Sequence, residues 1–145
     1  MTHRLSQVYL HIVFSTKNRM PWITPETEAF LYPCLARIAS SYKAATLAIN
    51  GTHDHVHLLQ RLHVDVRITK LIGNMKARST PKLKHRGIAN FSWQPGYGVF
   101  SLSKRDIDPV TRYIQRQKEH HHQRSFDQEM EHFAQAWGCE WFPDD

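Results

Sequence analysis

The chain has 145 residues, of which 41% are hydrophobic and 22% charged, a composition typical of one globular domain and not of a disordered chain. No apolar stretch approaches the roughly 20 residues of a membrane span, and the first residues lack the apolar core of a secretory signal. The two cysteines, Cys34 and Cys139, exclude a disulfide framework. We therefore expect a single domain over residues 1–145, located in the reducing cytoplasm and not associated with a membrane.

The charges are unevenly distributed along the chain. Lys and Arg number 19 and Asp and Glu 13, which gives a net charge of +6. Every Lys and Arg lies within 1–126, whereas the charged residues of 127–145 are all acidic. A basic body attracts polyanions such as nucleic acid. A well-solvated basic surface is the alternative interpretation of net charge alone.

Periodicity predicts four strands and four helices. In chain order they are a strand at about 8–14, a helix at 24–42, strands at 44–49 and 53–62, a helix at 65–79, a strand at 97–102, a helix from 108 through 117 and a helix at 126–137. Asn50-Gly51 is a hairpin turn signal, and Pro81 is expected to end the second helix.

This order of elements predicts an α+β, ferredoxin-like (split βαβ) fold. Its antiparallel sheet carries helices on one face, and a further C-terminal helix and a tail helix follow. The core is expected over about 5–125, with an acidic helix and tail over 126–145. Because this fold hosts many activities, the function has to be read from particular residues.

The third predicted strand contains a histidine pattern. Side chains two residues apart on a strand share a face, so His55 and His57, together with His53, are expected to project to one side, and Asp54 to the other. Two neutral imidazoles on a rigid strand form half of a divalent metal site. A polar sheet face that is rich in histidine is the alternative.

A tyrosine occupies the helix that follows the fourth strand. Tyr113 and Gln117 lie one helical turn apart and share a face with Arg116, which is a poor companion in a core. Basic residues along this helix would stabilise a phenolate and attract phosphate. A tyrosine at helical spacing is otherwise a common core residue, and that interpretation stays open here.

A basic segment runs from Arg61 to Arg86. It contains eight basic residues and a single acidic one, Asp65. Together with the nearby aromatic residues Trp93 and Tyr97, it predicts a nucleic-acid surface, because cations contact phosphates while aromatic rings stack on unpaired bases. A solvated helix face is the alternative. The candidate DNA-binding residues are Lys17, Arg19, Arg67, Lys70, Lys76, Arg78, Lys82, Lys84 and Arg86.

Several motifs in one order carry a family resemblance. They comprise residues 11–17 with Arg19, His55-Val56-His57-Leu58, residues 71–76, residues 93–101, and Tyr113-Ile114-Gln115-Arg116-Gln117. Over most of residues 5–125 the chain resembles the single-tyrosine HUH transposases, which mobilise single-stranded DNA in bacterial insertion sequences, and their relatives associated with repetitive extragenic palindromes (REPs).

The resemblance implies a nucleophile and a metal site. Tyr113 would attack DNA next to short REP-like hairpins, giving a 5′-phosphotyrosine link and a free 3′-OH. His55, His57 and Gln117 would hold a divalent metal, Mg²⁺ or Mn²⁺. A ligand set without a carboxylate predicts weak metal binding. The resemblance also implies a homodimer, and the absence of a Walker-type glycine loop agrees with chemistry that needs no nucleotide cofactor.

Two other functions compete with this hypothesis. The first is a non-catalytic module that binds single-stranded nucleic acid on its sheet, although no typical aromatic RNP segment is present. The second is a hydrolytic metalloenzyme that uses water in place of Tyr113. It is disfavoured because Asp54, the acidic residue nearest the histidines, is expected to face away from them.

Overall fold

The structure, a computed structural model, describes residues 3–120 and 125–139. Within these ranges the elements in chain order are β1 (Val8–Ser15), α1 (Pro25–Ser41), β2 (Ala44–Gly51), β3 (His55–Leu62), α2 (Ile68–His85), β4 (Gly98–Leu102), α3 (Ile107–Gln115), α4 (Gln117–His120) and α5 (Phe126–Trp137). The strands form one antiparallel sheet in the order β2-β3-β1-β4. The predicted α+β, ferredoxin-like fold is confirmed.

The main core lies between the sheet and the helices α1 and α2. Alternate residues of β1, among them Ile12 and Phe14, point into it together with Val56 and Leu58 of β3, and all four are nearly inaccessible to solvent. This alternation follows from the two-residue period of a strand. The predicted placement of two helices on one face of the sheet therefore holds for α1 and α2.

The opposite face of the sheet is covered by the C-terminal helices. Val13 of β1 packs with three apolar residues of α5, which are Phe126, Met130 and Phe133. A second small cluster joins β3 and β4 to Ile114 of α3. These two clusters are small, so α3 and α5 rest on fewer buried apolar side chains than α1 and α2 do.

Helix α2 continues through Pro81 and ends at His85. The prediction that Pro81 ends this helix was wrong. A proline inside a helix costs about 3 kcal/mol, but the following turn buries Leu83 completely, and burial of such a side chain contributes about 1.5–3 kcal/mol. The indole N–H of Trp93 also donates to Ser79 Oγ at 3.0 Å and holds this end of α2 to the core.

None of the helices in the described part of the chain is both long and apolar enough to cross a membrane.

Candidate active site

The two histidines of the predicted pair begin β3. His55 and His57 are completely buried on the sheet face that α3 and α5 cover, with ring centroids 5.1 Å apart. The preceding hairpin requires glycine at position 51, because a Cβ there would overlap the backbone oxygen of His55. The tight β2–β3 turn therefore positions His55 within the sheet.

Asp54 contacts His55 directly. Its Oδ1 lies 2.8 Å from His55 Nδ1, and the hydroxyl of Thr52 donates to the same oxygen at 2.9 Å. The prediction that Asp54 faces away from the histidines was wrong because β3 starts only at His55, so strand alternation does not apply to Asp54. The same reason explains His53, whose side chain is 62% exposed and does not join the other two histidines.

The Asp54–His55 contact shifts the pKa values of both groups. Burial alone would raise the pKa of Asp54, but hydrogen bonds from His55 and Thr52 outweigh it and lower that pKa. Burial alone would lower the pKa of His55, but hydrogen bonds to Asp54 and Glu129 outweigh it and raise that pKa. With Nδ1–H directed at the Asp54 carboxylate, His55 presents Nε2 to the interior of the site.

The structure brings Tyr113 and Gln117 to the histidines. The predicted continuous helix is interrupted at Arg116, where α3 ends before α4 begins. Gln117 is nevertheless fully buried, with Oε1 3.2 Å from His55 Nε2. The ring of Tyr113 packs edge-on against His57, with centroids 5.7 Å apart.

Glu129 of α5 joins these residues and was missed by sequence reasoning. It is only 2% exposed. Its Oε1 lies 2.9 Å from His57 Nε2 and 3.4 Å from His55 Nε2. Its Oε2 accepts hydrogen bonds from the Tyr113 hydroxyl and, at 3.1 Å, from Gln117 Nε2. The expectation that the cluster lacks a carboxylate was wrong.

The signal for Glu129 was present in the sequence. Phe126, Met130 and Phe133 form the apolar stripe of α5, and Glu129 lies within that stripe and not on the solvent face. A carboxylate in an apolar stripe is buried only when it has partners. His11 of β1 was also missed. It is 3% exposed, and its Nε2 lies 2.8 Å from His57 Nδ1.

The donor atoms of the cluster fit one divalent cation. Ligand atoms of His55, His57 and Glu129 lie within 4.8 Å of one another, and Gln117 Oε1 adds a fourth donor next to His55. Ligands about 2.1 Å from an octahedral ion lie about 3 Å apart, and the three contacts of 2.9, 3.2 and 3.4 Å are close to that spacing. The cluster thus pairs a metal-compatible donor set with a phenol whose proton already points at a carboxylate.

The predicted basic residues fall into two groups. Lys17 and Arg19 lie in a turn directly after β1, next to the histidine end of β3, and Arg19 pairs with Asp127 of α5. The exposed members on and beside α2 lie across the sheet from the cluster, and they are Arg67, Lys70, Arg78, Lys82, Lys84 and Arg86.

Lys76 differs from the other basic residues of α2. Its ammonium group donates to the backbone oxygens of Gln94 and Gly96 and lies 5.9 Å from the centre of the Tyr97 ring. These contacts give Lys76 a role in ordering the 94–97 loop, in addition to the predicted contact with DNA.

The chain is similar to known proteins in both sequence and fold. The family model described as Transposase IS200 like matches residues 4–117. The fold is similar to that of a protein from Deinococcus radiodurans R1 described as a transposase, with a TM-score of 0.66 and 21% identity over 81% of this chain and 95% of that one. It is also similar to a REP-associated tyrosine transposase bound to a REP hairpin, with a TM-score of 0.63 and 16% identity over 99% of this chain and 92% of that one. No curated protein matches the chain.

Proposed function

Because the chain belongs to the IS200-like transposase family, we propose that it cleaves and rejoins single-stranded DNA next to short hairpins, with Tyr113 as the nucleophile. One observation carries the proposal: the Tyr113 hydroxyl donates to the buried carboxylate of Glu129, which also contacts both histidines. A tyrosine that served only the core would not need an ionisable acceptor at this depth.

The chain's own residues account for the proton and the new bond. Glu129 Oε2 takes the proton of the Tyr113 hydroxyl as the phenol oxygen attacks the scissile phosphorus. The bond from phosphorus to the 3′ oxygen breaks, leaving a 5′-phosphotyrosine, and the released 3′ oxygen takes up a proton to become a 3′-OH. In rejoining, a 3′-OH attacks phosphorus and loses its proton to solvent, the bond from phosphorus to the Tyr113 oxygen breaks, and Glu129 returns the proton to Tyr113.

His55, His57, Gln117 and Glu129 are the residues that would hold the metal, Mg²⁺ or Mn²⁺. When bound, the cation polarises the scissile phosphate and stabilises the charge that develops on its oxygens. The hydrogen bond from His55 Nδ1 to Asp54 orients that ring with Nε2 toward the other donors. Gln117 bridges the cluster, since its Oε1 faces His55 while its Nε2 donates to Glu129.

The DNA partner is proposed to be a single-stranded hairpin. The REP-associated transposase that shares this fold is bound to a REP hairpin. In this chain, Lys17 and the exposed basic residues of α2 supply cations for the phosphates of such a hairpin. We also propose that the protein acts as a homodimer, as the family resemblance implies.

Substitution of Tyr113 by phenylalanine tests the proposal. The variant keeps the ring and its packing, and a merely structural hydroxyl would contribute only about 1 kcal/mol. Wild-type protein mixed with a labelled hairpin oligonucleotide and Mn²⁺ should give a cut strand and a covalent protein–DNA adduct on a denaturing gel. Tyr113→Phe should bind the oligonucleotide normally and give neither product.

Tyr9→Phe is the matched control, because Tyr9 is also a partly buried tyrosine of the same sheet face. It should cut like the wild type. Cleavage that persists in Tyr113→Phe would indicate hydrolysis by water and refute the proposed nucleophile. A wild-type protein that binds the hairpin without cutting it would instead favour the non-catalytic binding module.

A further inference from the structure

His11 is a buried histidine that the proposed chemistry does not use. In the β1–β3 register, His11 pairs with Leu59 and Val13 pairs with His57, so His11 and His57 are diagonal neighbours on one face. His11 Nε2 lies 2.8 Å from His57 Nδ1, and the two ring planes are 27° apart. This near-coplanar arrangement directs one ring nitrogen at the other, so the contact is a hydrogen bond that shares one proton.

Aromatic rings hold His11 in this orientation. The centroids of Phe100, Tyr113 and Phe133 lie 5.8, 6.2 and 5.6 Å from that of His11. His11 can accept a hydrogen bond only as a neutral imidazole, which has one nitrogen that donates and one that accepts.

The contact on the opposite edge of the His57 ring determines whether His11 donates or accepts the hydrogen bond between them. His57 Nε2 faces Glu129 Oε1 at 2.9 Å, on the side where the other candidate ligands converge. A neutral imidazole can offer the Nε2 lone pair to a cation only when its proton is on Nδ1. That proton then points at His11 Nε2, which has to be the accepting nitrogen.

We propose that His11 is a positioning residue that accepts the Nδ1 proton of His57 and thereby fixes the tautomer and ring orientation in which His57 binds the metal through Nε2. The inference rests on the metal site proposed above. It gives the two histidine ligands different partners, since His55 donates to the Asp54 carboxylate while His57 donates to a neutral imidazole. An uncharged acceptor should therefore be able to replace His11.

Two substitutions separate the acceptor from the ring. Gln in place of His11 carries an amide oxygen that can accept from His57 Nδ1, whereas Phe fills the aromatic pocket but cannot accept. Mn²⁺ affinity, measured by electron paramagnetic resonance, should fall about 10–100-fold in His11→Phe and stay within a few-fold of wild type in His11→Gln. Thermal unfolding in the absence of metal checks that both variants fold.

The positions of the protons on His57 and His11 can also be measured directly in the wild-type protein. In ¹⁵N-labelled wild-type protein saturated with Mg²⁺, long-range ¹H–¹⁵N spectra should show the His57 proton on Nδ1 and an unprotonated Nε2 on His11. A proton on His11 Nε2 in that state would overturn the inference, even if His11→Phe failed to fold.

The Mn²⁺ affinities distinguish a wrong role for His11 from a wrong metal site. If the wild type binds Mn²⁺ and His11→Phe binds it equally well, the role of His11 is wrong while the metal site stands. If His11→Gln is as weak as His11→Phe, the acceptor is not what matters and the inference is again wrong. If the wild type binds no Mn²⁺, the proposed metal site itself fails, and the inference fails with it.

Discussion

Replacement of Glu129 by glutamine isolates the charge of the carboxylate that joins the site. The two side chains have nearly the same size, so the packing of α5 against the sheet is preserved. The polar contacts of Glu129 include two from Oε1 to the histidines and two from Oε2 to Tyr113 and Gln117. An amide has one acceptor oxygen and one donor nitrogen, and so it cannot satisfy all four.

The expected loss is large in rate and small in stability. Without an ionised oxygen to take the Tyr113 proton, strand cleavage should slow by about 10²–10⁴-fold, the usual contribution of a positioned proton acceptor. That range corresponds to about 2.7–5.4 kcal/mol in activation free energy. The free energy of unfolding should change less, because the lost charge-assisted hydrogen bonds are opposed by relief from burying an anion that is only 2% exposed.

Single-turnover cleavage of a labelled hairpin oligonucleotide measures this effect, with Mn²⁺ varied so that metal affinity and rate are separated. Glu131→Gln is the matched control, since Glu131 is also on α5 but its side chain is exposed. It should cut at the wild-type rate. Faster cleavage by Glu129→Gln would refute the reasoning, because it would show that the carboxylate obstructs Tyr113 instead of activating it.

Three further outcomes follow from the described residues. Gly51→Ala should lower the free energy of unfolding in urea by about 1–3 kcal/mol because its Cβ meets the His55 backbone, whereas Gly73→Ala on open helix surface should raise it by about 0.5–1 kcal/mol. Ser125→Ala removes the capping residue of α5 and should lower the free energy of unfolding by about 1 kcal/mol and weaken Mn²⁺ binding. Thr24→Ala removes the cap of α1 and should lower the free energy of unfolding as much without changing Mn²⁺ binding. Neutralising three exposed lysines of α2 should lower the slope of log affinity against log salt for the hairpin by about 2, at about 0.7 per phosphate contact; an unchanged slope would remove α2 from the interface. These lysines are Lys70, Lys82 and Lys84.

Local periodicity was sufficient for the elements and for part of the site. The alternation in β1 and β3 and the stripe of α2 are consequences of backbone geometry and burial, and they predicted which residues enter the main core. The same alternation placed His55 and His57 on one face. The first residue of β3 was less predictable. The strand begins at His55, two residues later than predicted, and Asp54 therefore contacts His55 and does not lie on the far face.

Contacts between distant segments were not available from local periodicity. The bond between His11 and His57 depends on the register of β1 against β3, and a shift of one residue would point every side chain to the other face. The contact between Glu129 and Tyr113 depends on how α5 docks on the sheet, which a stripe of three apolar residues does not specify by itself. Pro81 shows the same limit, since tertiary packing of Leu83 outweighs the local tendency to end a helix.

The position of Glu129 also predicts that bound metal strengthens the binding of DNA at the cleavage site. A carboxylate and a phosphate about 4 Å apart repel by about 1–4 kcal/mol at dielectric constants between those of water and a protein surface. A scissile phosphate that reaches Tyr113 comes this close to Glu129, because the hydroxyl donates to that carboxylate. Mg²⁺ should therefore strengthen the binding of an oligonucleotide that carries the cleavage site, relative to the hairpin alone, and the gain should be smaller in Glu129→Gln. Fluorescence anisotropy of the two oligonucleotides with and without Mg²⁺ measures the difference, and an equal effect of Mg²⁺ on both would contradict this prediction.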